Sequence, residues 1–258
     1  MNKPAGRIGI MAAMPEELQA LLDVMPDESL ERRAGREFWV GHLHGREVVV
    51  VLSRIGKVAA ATTTTVLLSC YGVDQIIFTG VAGGLGAGVR VGDVVVADAL
   101  IQHDMDASPL FPRFELPGQG VSALAPPAAL TTSVRDTVEQ VLSPAALAAG
   151  GALADVHLDA LGLSQPRVHQ GLIISGDQFI HSAQACRDLT QALPAALAVE
   201  MEGAAVAQVC HDFGVPYAVI RTISDRADDD AHIDFPRFIE AVARHYSLAI
   251  VEALLKRG

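Results

Sequence analysis

Cysteines, aromatic residues and clusters of basic residues are all scarce in this 258-residue chain. Its three cysteines are far apart and odd in number, which excludes a disulfide framework and indicates reduced thiols in a cytoplasm. There is no Cys-x-x-Cys pair, and the histidines are dispersed. The sequence therefore predicts no metal and no cofactor.

Positive charge and long apolar runs are also lacking. The formal net charge is -11, so the field of the molecule repels nucleic acids, and an aromatic content of 5% offers few side chains for stacking on bases. No apolar run reaches the roughly 20 residues that span a bilayer. We therefore expect a soluble cytoplasmic protein that binds neither nucleic acid nor a membrane.

Half of the residues are hydrophobic, and strand-like apolar segments alternate with helical ones. This alternation predicts an α/β fold, a single domain over residues 1–258 with a mixed central β-sheet flanked by helices. The predicted strands cover residues 7–14, 37–43, 47–52, 75–79, 93–99, 171–175 and 216–221. The predicted helices cover residues 15–22, 58–71, 133–142, 145–153, 186–193, 202–213 and 235–256. Residues 108–167 are rich in Pro, Phe, Ala and Leu, and we expect a variable, mobile excursion there.

Residues 80–88 are rich in glycine, but no register gives G-x-G-x-x-G followed by a helix, which argues against a dinucleotide-binding loop. The segment favours a turn at the carboxyl end of a buried strand, where the backbone approaches a small ligand closely. A plain connector remains the alternative. Residues 103–106, His-Asp-Met-Asp, are interpreted as a polar loop rather than a cation site.

Four carboxylates follow predicted strands or begin predicted helices: Glu17, Glu200, Glu202 and Asp225. Taken singly, Glu17 fits a first-turn partner of the helix dipole, Glu202 a helix start and Asp225 a cap. Because the carboxyl ends of strands in an α/β sheet share one rim, we expect these acids to meet around one crevice. Paired carboxylates there suit acid/base chemistry.

Seven sequence blocks, in this order, resemble the bacterial 5'-methylthioadenosine/S-adenosylhomocysteine nucleosidases, which have the nucleoside phosphorylase-like fold. The blocks are residues 8–17, 55–61, 79–85, 91–95, 175–180, 199–207 and 221–228. The resemblance implies an enzyme of methionine salvage that hydrolyses the N-ribosidic bond of these nucleosides to adenine and a thioribose. It also implies a cytoplasmic homodimer.

The resemblance implies a role for each matching residue. Asp225, steered by Ser224, would protonate adenine N7 as the general acid. Glu17 would be the general base for water, which Arg221 helps to organise, and Glu202 would accept hydrogen bonds from the ribose hydroxyls. The other implied substrate-binding residues are Ile55, Val81, Ala82, Gly83, Phe179, Ile180, Glu200 and Met201.

Chemistry supports this assignment, because an oxocarbenium-like transition state requires one protonated acid and one ionised base. We therefore expect Asp225 to be protonated and Glu17 to be ionised. The chain also departs from the family. Val81 replaces a frequent Ser or Thr, and in the dissimilar loop at residues 106–114 we expect Leu110 or Phe111 to cover the 5'-alkylthio group across a dimer interface.

Three alternatives stay open. A phosphate-dependent nucleoside phosphorylase shares the fold, although Glu17 would repel phosphate where water must bind. A related nucleosidase would act on aminofutalosine or AMP. A nucleoside-binding protein without catalysis would not need Glu17, Arg221 and Asp225 together.

Overall fold

A nine-stranded mixed sheet forms the centre of the computed structural model, which describes residues 6–148, 153, 165–227 and 238–257. The strands are β1 (Ile8–Ala12), β2 (Ser29–Arg33), β3 (Arg36–Leu43), β4 (Arg46–Leu52), β5 (Gln75–Gly84), β6 (Val94–Gln102), β7 (Val168–Ser175), β8 (Ala196–Glu200) and β9 (Tyr217–Asp225). Their order is β2-β3-β4-β1-β5-β8-β7-β6-β9, and β5 also pairs with β9. It contains both parallel pairs, such as β1 with β4, and antiparallel pairs, such as β3 with β4 and β5 with β8, which confirms the predicted mixed sheet.

Helices cover both faces of this sheet and confirm the α/β class. They are α1 (Pro15–Leu22), α2 (Lys57–Tyr71), α3 (Ala128–Val141), α4 (Pro144–Ala148), α5 (Ala183–Ala192), α6 (Gly203–Phe213) and α7 (Arg244–Arg257), with a π-helical turn at Ile239–Ala243 before α7. Alternation along β4 divides the core: Val48 and Val50 pack towards α1, α3 and α7, whereas Val49 and Val51 pack towards α2 and α6.

Five of the strands close into a ring, because β5 pairs with β8 on one edge and with β9 on another. The ring continues from β9 through β6 and β7 back to β8. Within it, Gly83 of β5 is in register with Val199 of β8 and with Asp225 of β9. This register brings the ends of β8 and β9 to the same part of β5.

The structure corrects the prediction for the glycine-rich segment. Residues 80–84 do not form a turn but continue β5, since they pair with β9 and, at the end, with β8. A Cβ atom on Gly80 would lie 2.8 Å from the Ala13 Cβ, and one on Gly83 would lie 3.0 Å from Asp225 Oδ1. These glycines therefore admit neighbouring parts of the chain itself.

Two strands, β2 and β8, are absent from the sequence prediction. The exposed, charged sequence of β2 does not resemble a buried strand, and β8 is too short to separate from the apolar residues around it. Several predicted strands were also too short, since β9 continues beyond Arg221 to Asp225. Most helix predictions are confirmed within a few residues.

The segment at residues 108–167 does not stand apart from the domain where the structure describes it. Helix α3 packs on the main core through the buried Val134 and Val138, and Arg257 of α7 donates a hydrogen bond to its Thr137, at 2.9 Å. The helix predicted at residues 145–153 is described only as far as the end of α4 and at residue 153. The start of the helix predicted from Phe235 also lies outside the described residues. Across the part of the chain that is described, no helix has the length and apolar character of a membrane span.

Candidate active site

A cavity of about 470 Å³ opens where β5, β8 and β9 meet. Its wall contains every predicted site residue except Glu17 and Arg221. Each of these two contacts a residue of the wall, Glu17 the backbone of Met14 and Arg221 the side chain of Glu200. The lining residues are Ala13, Met14, Ile55, Val81, Ala82, Gly83, Gln178, Phe179, Ile180, Val199, Glu200, Met201, Glu202, Ser224 and Asp225. The volume is in the range of small-molecule sites.

Glu17 lies in the first turn of α1 and is completely buried. Its Oε2 accepts a hydrogen bond from the backbone N–H of Met14 at 3.0 Å, and its Oε1 accepts one from the Ser247 hydroxyl at 2.6 Å. Burial raises the pKa of this carboxyl, against the hydrogen bonds and the charge of Arg221, which lower it. The direction opposes our expectation of a plainly ionised Glu17. It moves the pKa towards neutral pH, where a general base works best.

Asp225 ends β9 and lines the cavity directly. Its Oδ2 accepts a hydrogen bond from the Ser224 hydroxyl at 2.8 Å, and its Oδ1 accepts one from the backbone N–H of Ala227 at 2.8 Å. Both donors are close to Asp225 in sequence. A short local segment therefore orients this carboxyl group.

Arg221 lies behind the cavity wall and forms a buried ion pair with Glu200 of the wall, with Arg221 Nη2 2.7 Å from Glu200 Oε2. The guanidinium also lies over the Phe78 ring, 4.0 Å from its centroid. Glu200 accepts further hydrogen bonds from Ser175, from the backbone N–H of Glu202 and from that of Gly203. Protein donors thus engage both of its oxygens, which fits a positioning role better than the predicted substrate contact.

Glu202 stands at the start of α6 and reaches across to α2. Its Oε1 accepts a hydrogen bond from the backbone N–H of Gly56 at 2.9 Å. Gly56 has a φ of 94°, a conformation that favours glycine. Burial and the neighbouring Glu200 raise the pKa of Glu202 to about 7. This carboxyl group can therefore change charge near neutral pH.

The mouth of the cavity is apolar and open. Ile55 is 68% exposed and Phe179 is 43% exposed, although both line the cavity. The loop that carries Phe179 is held from the side: Asp104 accepts a hydrogen bond from the backbone N–H of Asp177 at 2.9 Å and pairs with Lys57. This contact confirms residues 103–106 as a polar loop.

Leu110 is 83% exposed and Phe111 is 37% exposed, and neither is part of the cavity wall formed by the described residues.

Sequence reasoning missed several residues at the site. Ala13, Met14, Gln178 and Val199 belong to the wall, and Ser247 contacts Glu17. Glu17 accepts from the N–H of Met14 as the Glu of a capping box does, but Met14 is not the Ser or Thr that marks this motif in a sequence. Nothing in the sequence points to Ser247, which is 230 residues from Glu17.

Comparison with known proteins gives consistent matches over nearly the whole chain. The phosphorylase superfamily matches residues 7–256. A 5'-methylthioadenosine/S-adenosylhomocysteine nucleosidase of Chromohalobacter salexigens is 39% identical over 97% of both chains.

Two solved structures are similar as well. The nucleosidase of the same name from Neisseria meningitidis, in complex with methylthio-immucillin-A, has a TM-score of 0.83 and 31% identity over 98% of this chain and 100% of its own. Futalosine hydrolase of Helicobacter pylori has a TM-score of 0.82 and 32% identity over 98% of this chain and 99% of its own.

Proposed function

Because the chain belongs to the phosphorylase superfamily and, within it, to the 5'-methylthioadenosine/S-adenosylhomocysteine nucleosidases, it is a hydrolase of N-ribosidic bonds, and we propose that Glu17 and Asp225 carry out its proton transfers. The products are adenine and a thioribose. The observation that carries the proposal is that Asp225 lines the cavity, while Glu17 lies directly behind its wall and is hydrogen-bonded to the wall residue Met14. Glu17 is linked to β5 through hydrogen bonds, because it accepts from Ser247, whose hydroxyl contacts that of Thr79 in β5. Asp225 is paired with Gly83 of the same strand. Thr79 and Gly83 are about 13 Å apart along the strand, so the two carboxyl groups are held at different points along β5.

In the proposed reaction Glu17 takes a proton from a water molecule that attacks the anomeric carbon. Met14 and Ser247 occupy one acceptor position on each oxygen of Glu17 and fix the carboxylate. Arg221 lies close enough to lower the pKa of Glu17 and helps to keep it ionised.

Asp225 gives its proton to adenine N7, so that the purine leaves as a neutral molecule. The hydroxyl of Ser224 and the backbone N–H of Ala227 hold its two oxygens. Phe179 stacks on the base, and the backbone of Ile180 contacts the edge of adenine. Loss of general acid or general base catalysis costs on the order of a hundredfold to ten-thousandfold.

Glu202 accepts hydrogen bonds from the ribose hydroxyls and stabilises positive charge on the sugar. The remaining wall, with Ile55, Ala82, Gly83 and Met201, packs around the nucleoside, and Val81 presents methyl groups where a hydroxyl would hold an anion.

The negative charges at the cavity favour water rather than phosphate as the nucleophile. Arg221 behind the wall is already paired with Glu200, while Glu202 lines the cavity and Glu17 lies just behind it, so carboxyl groups surround this part of the site. A phosphate dianion about 4 Å from a carboxylate costs roughly 4 kcal/mol for each pair of unit charges at an effective dielectric constant near 20.

The experiment is adenine release from 5'-methylthioadenosine by the purified protein, with and without phosphate, beside a Glu17→Gln variant. We expect adenine and free methylthioribose without phosphate, and an inactive variant. Activity that requires phosphate would replace the hydrolase by a phosphorylase, and an active Glu17→Gln variant would remove Glu17 from the mechanism.

Aminofutalosine is a second candidate substrate, favoured by the similarity to a futalosine hydrolase. The same assay with aminofutalosine ranks the two by kcat/KM. We expect 5'-methylthioadenosine to be the better substrate, because the mouth of the cavity is apolar around Ile55 and Phe179.

The proposal extends to a homodimer in the cytoplasm that serves methionine salvage. Apolar side chains at and beside the mouth support the dimer, since Val58 is 78% exposed next to Ile55 and the groove between α2 and α6. A second copy would cover this face and bring Leu110 or Phe111 to the 5'-substituent. Light scattering after gel filtration should give twice the 27.1 kDa chain mass, and a monomer would contradict the proposal.

A further inference from the structure

Three polar side chains from distant parts of the sequence form a buried chain behind the cavity. Ser247 of α7 donates a hydrogen bond to Glu17 Oε1 at 2.6 Å, and its oxygen lies 2.9 Å from the Thr79 hydroxyl of β5. Ser247 and Thr79 are each about 1% exposed, and Glu17 is fully buried. Helix α7 thus reaches the sheet with a hydroxyl in an otherwise apolar contact region.

The number of protons fixes the direction of this chain. A hydroxyl carries one proton, and the proton of Ser247 goes to the ionised Glu17. Thr79 must then donate to Ser247, so the order is Thr79 to Ser247 to Glu17. Thr79 is itself held in the sheet, where it is in register with Ala12 of β1 and Ile220 of β9.

The neighbours of Glu17 show what Ser247 contributes. Met14 and Ala13 supply backbone N–H groups at the start of α1, and Arg221 of β9 supplies the charge that faces Glu17 among the described residues. Arg221 is shared with Glu200, its ion-pair partner. Within the described part of the chain, Ser247 is the side chain that donates directly to the carboxylate, so it fixes the position of Oε1 and favours the charged form of the group, against the effect of burial.

We propose that Ser247, held by Thr79, is a positioning residue for Glu17 that keeps the carboxylate ionised and aimed at the nucleophilic water. The proposal rests on the proposed role of Glu17 as the general base. After Glu17 takes a proton from water, Ser247 goes on donating to the same oxygen, so the carboxyl group keeps its orientation through the step.

The test is the pH dependence of kcat/KM for Ser247→Ala. Loss of a donor to the ionised form raises the pKa of the base. Because the base is active only when ionised, the acidic limb of the kcat/KM profile then moves to higher pH. We expect a shift of about one pH unit and a roughly tenfold loss of rate on that limb. KM should change little, because Ser247 does not line the cavity. Thr79→Val removes the contact between Thr79 and Ser247 but keeps the hydrogen bond from Ser247 to Glu17. It should therefore shift the acidic limb in the same direction by a smaller amount.

The matched control is Thr64→Val, which also deletes a buried hydroxyl, one that donates to the Ala60 carbonyl within α2. It should lower stability without moving the limb. An acidic limb that coincides with wild type in Ser247→Ala would overturn the proposal and leave Ser247 a packing role.

A second measurement separates this proposal from the proposed function. The carbon-13 signal of the Glu17 carboxyl, assigned by its loss in Glu17→Gln, reports the titration of Glu17 without catalysis. A shifted titration in Ser247→Ala supports the positioning contact even if Glu17→Gln remains active, which would remove only the catalytic role of Glu17. An unchanged titration overturns the contact whatever the activity of Glu17→Gln.

Discussion

The two sides of the cavity to which we assign the proton transfers are built in different ways. On the adenine side, Asp225 faces the cavity and is held by Ser224 and Ala227, its neighbours in the chain. On the water side, Glu17 lies behind the wall, and its side-chain donor Ser247 is 230 residues away. The proposed acid, Asp225, is thus oriented by a local segment, and the proposed base, Glu17, by the packing of α1, β5 and α7.

This difference indicates which perturbations each side tolerates. A local orientation survives small movements of helices, because donor and acceptor move together. The water side depends on two buried networks, one through Ser247 and one through the Arg221 and Glu200 pair, so changes in the core reach it directly. The largest rate effects should arise at the carboxyl groups themselves, and the largest stability effects in the networks behind them.

The sharpest test of the division between the two sides is Asp225→Asn. Loss of the acid should lower kcat for 5'-methylthioadenosine by a hundredfold to ten-thousandfold, as is typical of general acid catalysis. A nitrophenyl thioriboside releases its leaving group without protonation, so Asp225→Asn should hydrolyse it at a rate near wild type. Glu17→Gln should fail on both substrates, and an equal loss of both substrates in Asp225→Asn would contradict the assignment.

Glu200→Gln tests the network on the water side. The change leaves Arg221 buried without its charged partner, and we expect about 3 kcal/mol or more of lost stability in urea unfolding. Glu37→Gln is the matched control, because Arg32 and Glu37 form an ion pair with the same 2.7 Å separation at the surface. That control should change stability little, since exposed pairs contribute little. Similar losses in both variants would show that burial does not set the strength of the pair.

Glu202 should make stability depend on pH on the sugar side. Its pKa is raised from an ordinary 4.5 to about 7, so the folded protein holds a proton that the unfolded chain releases between these values. The stabilising contribution is full below about pH 4.5 and is lost as the pH rises to about 7. Over that range wild type should lose about 3 kcal/mol relative to Glu202→Gln in denaturant unfolding. Parallel stability curves for the two proteins would contradict the raised pKa.

The smallest expected effect is that of Ser224→Ala on the adenine side. Asp225 keeps the N–H of Ala227 when the hydroxyl is lost, so we expect only a roughly tenfold lower kcat, with KM nearly unchanged. Ser143→Ala removes a hydroxyl that accepts from Ala146 in α4 and should leave kcat as it is. A loss as large as that of Asp225→Asn would make Ser224 part of the proton transfer itself.

Much of the site was predictable, because its residues belong to short segments at strand ends. Glu202 begins α6 next to Glu200, and Asp225 follows buried apolar residues in β9, as the pattern indicated. The glycine-rich segment was only partly interpreted correctly: its first part, up to Gly84, continues β5 and admits Arg221 and Asp225, and the predicted turn comes only after it, at residues 86–88. The expectation of one shared rim was also too simple, because β8 runs antiparallel to β5 and brings Glu200 in from the opposite direction.

The sequence by itself determined the α/β class, most helices, the order of the motifs and the acidic residues available for catalysis. These depend on periodicity and on neighbours within a few residues. The tertiary structure alone decided that β5 closes a ring with β8 and β9, that Arg221 pairs with Glu200, and that Ser247 holds Glu17. Such contacts join residues far apart in the chain, and burial at those contacts, which no local pattern encodes, raises the pKa of Glu17 and of Glu202.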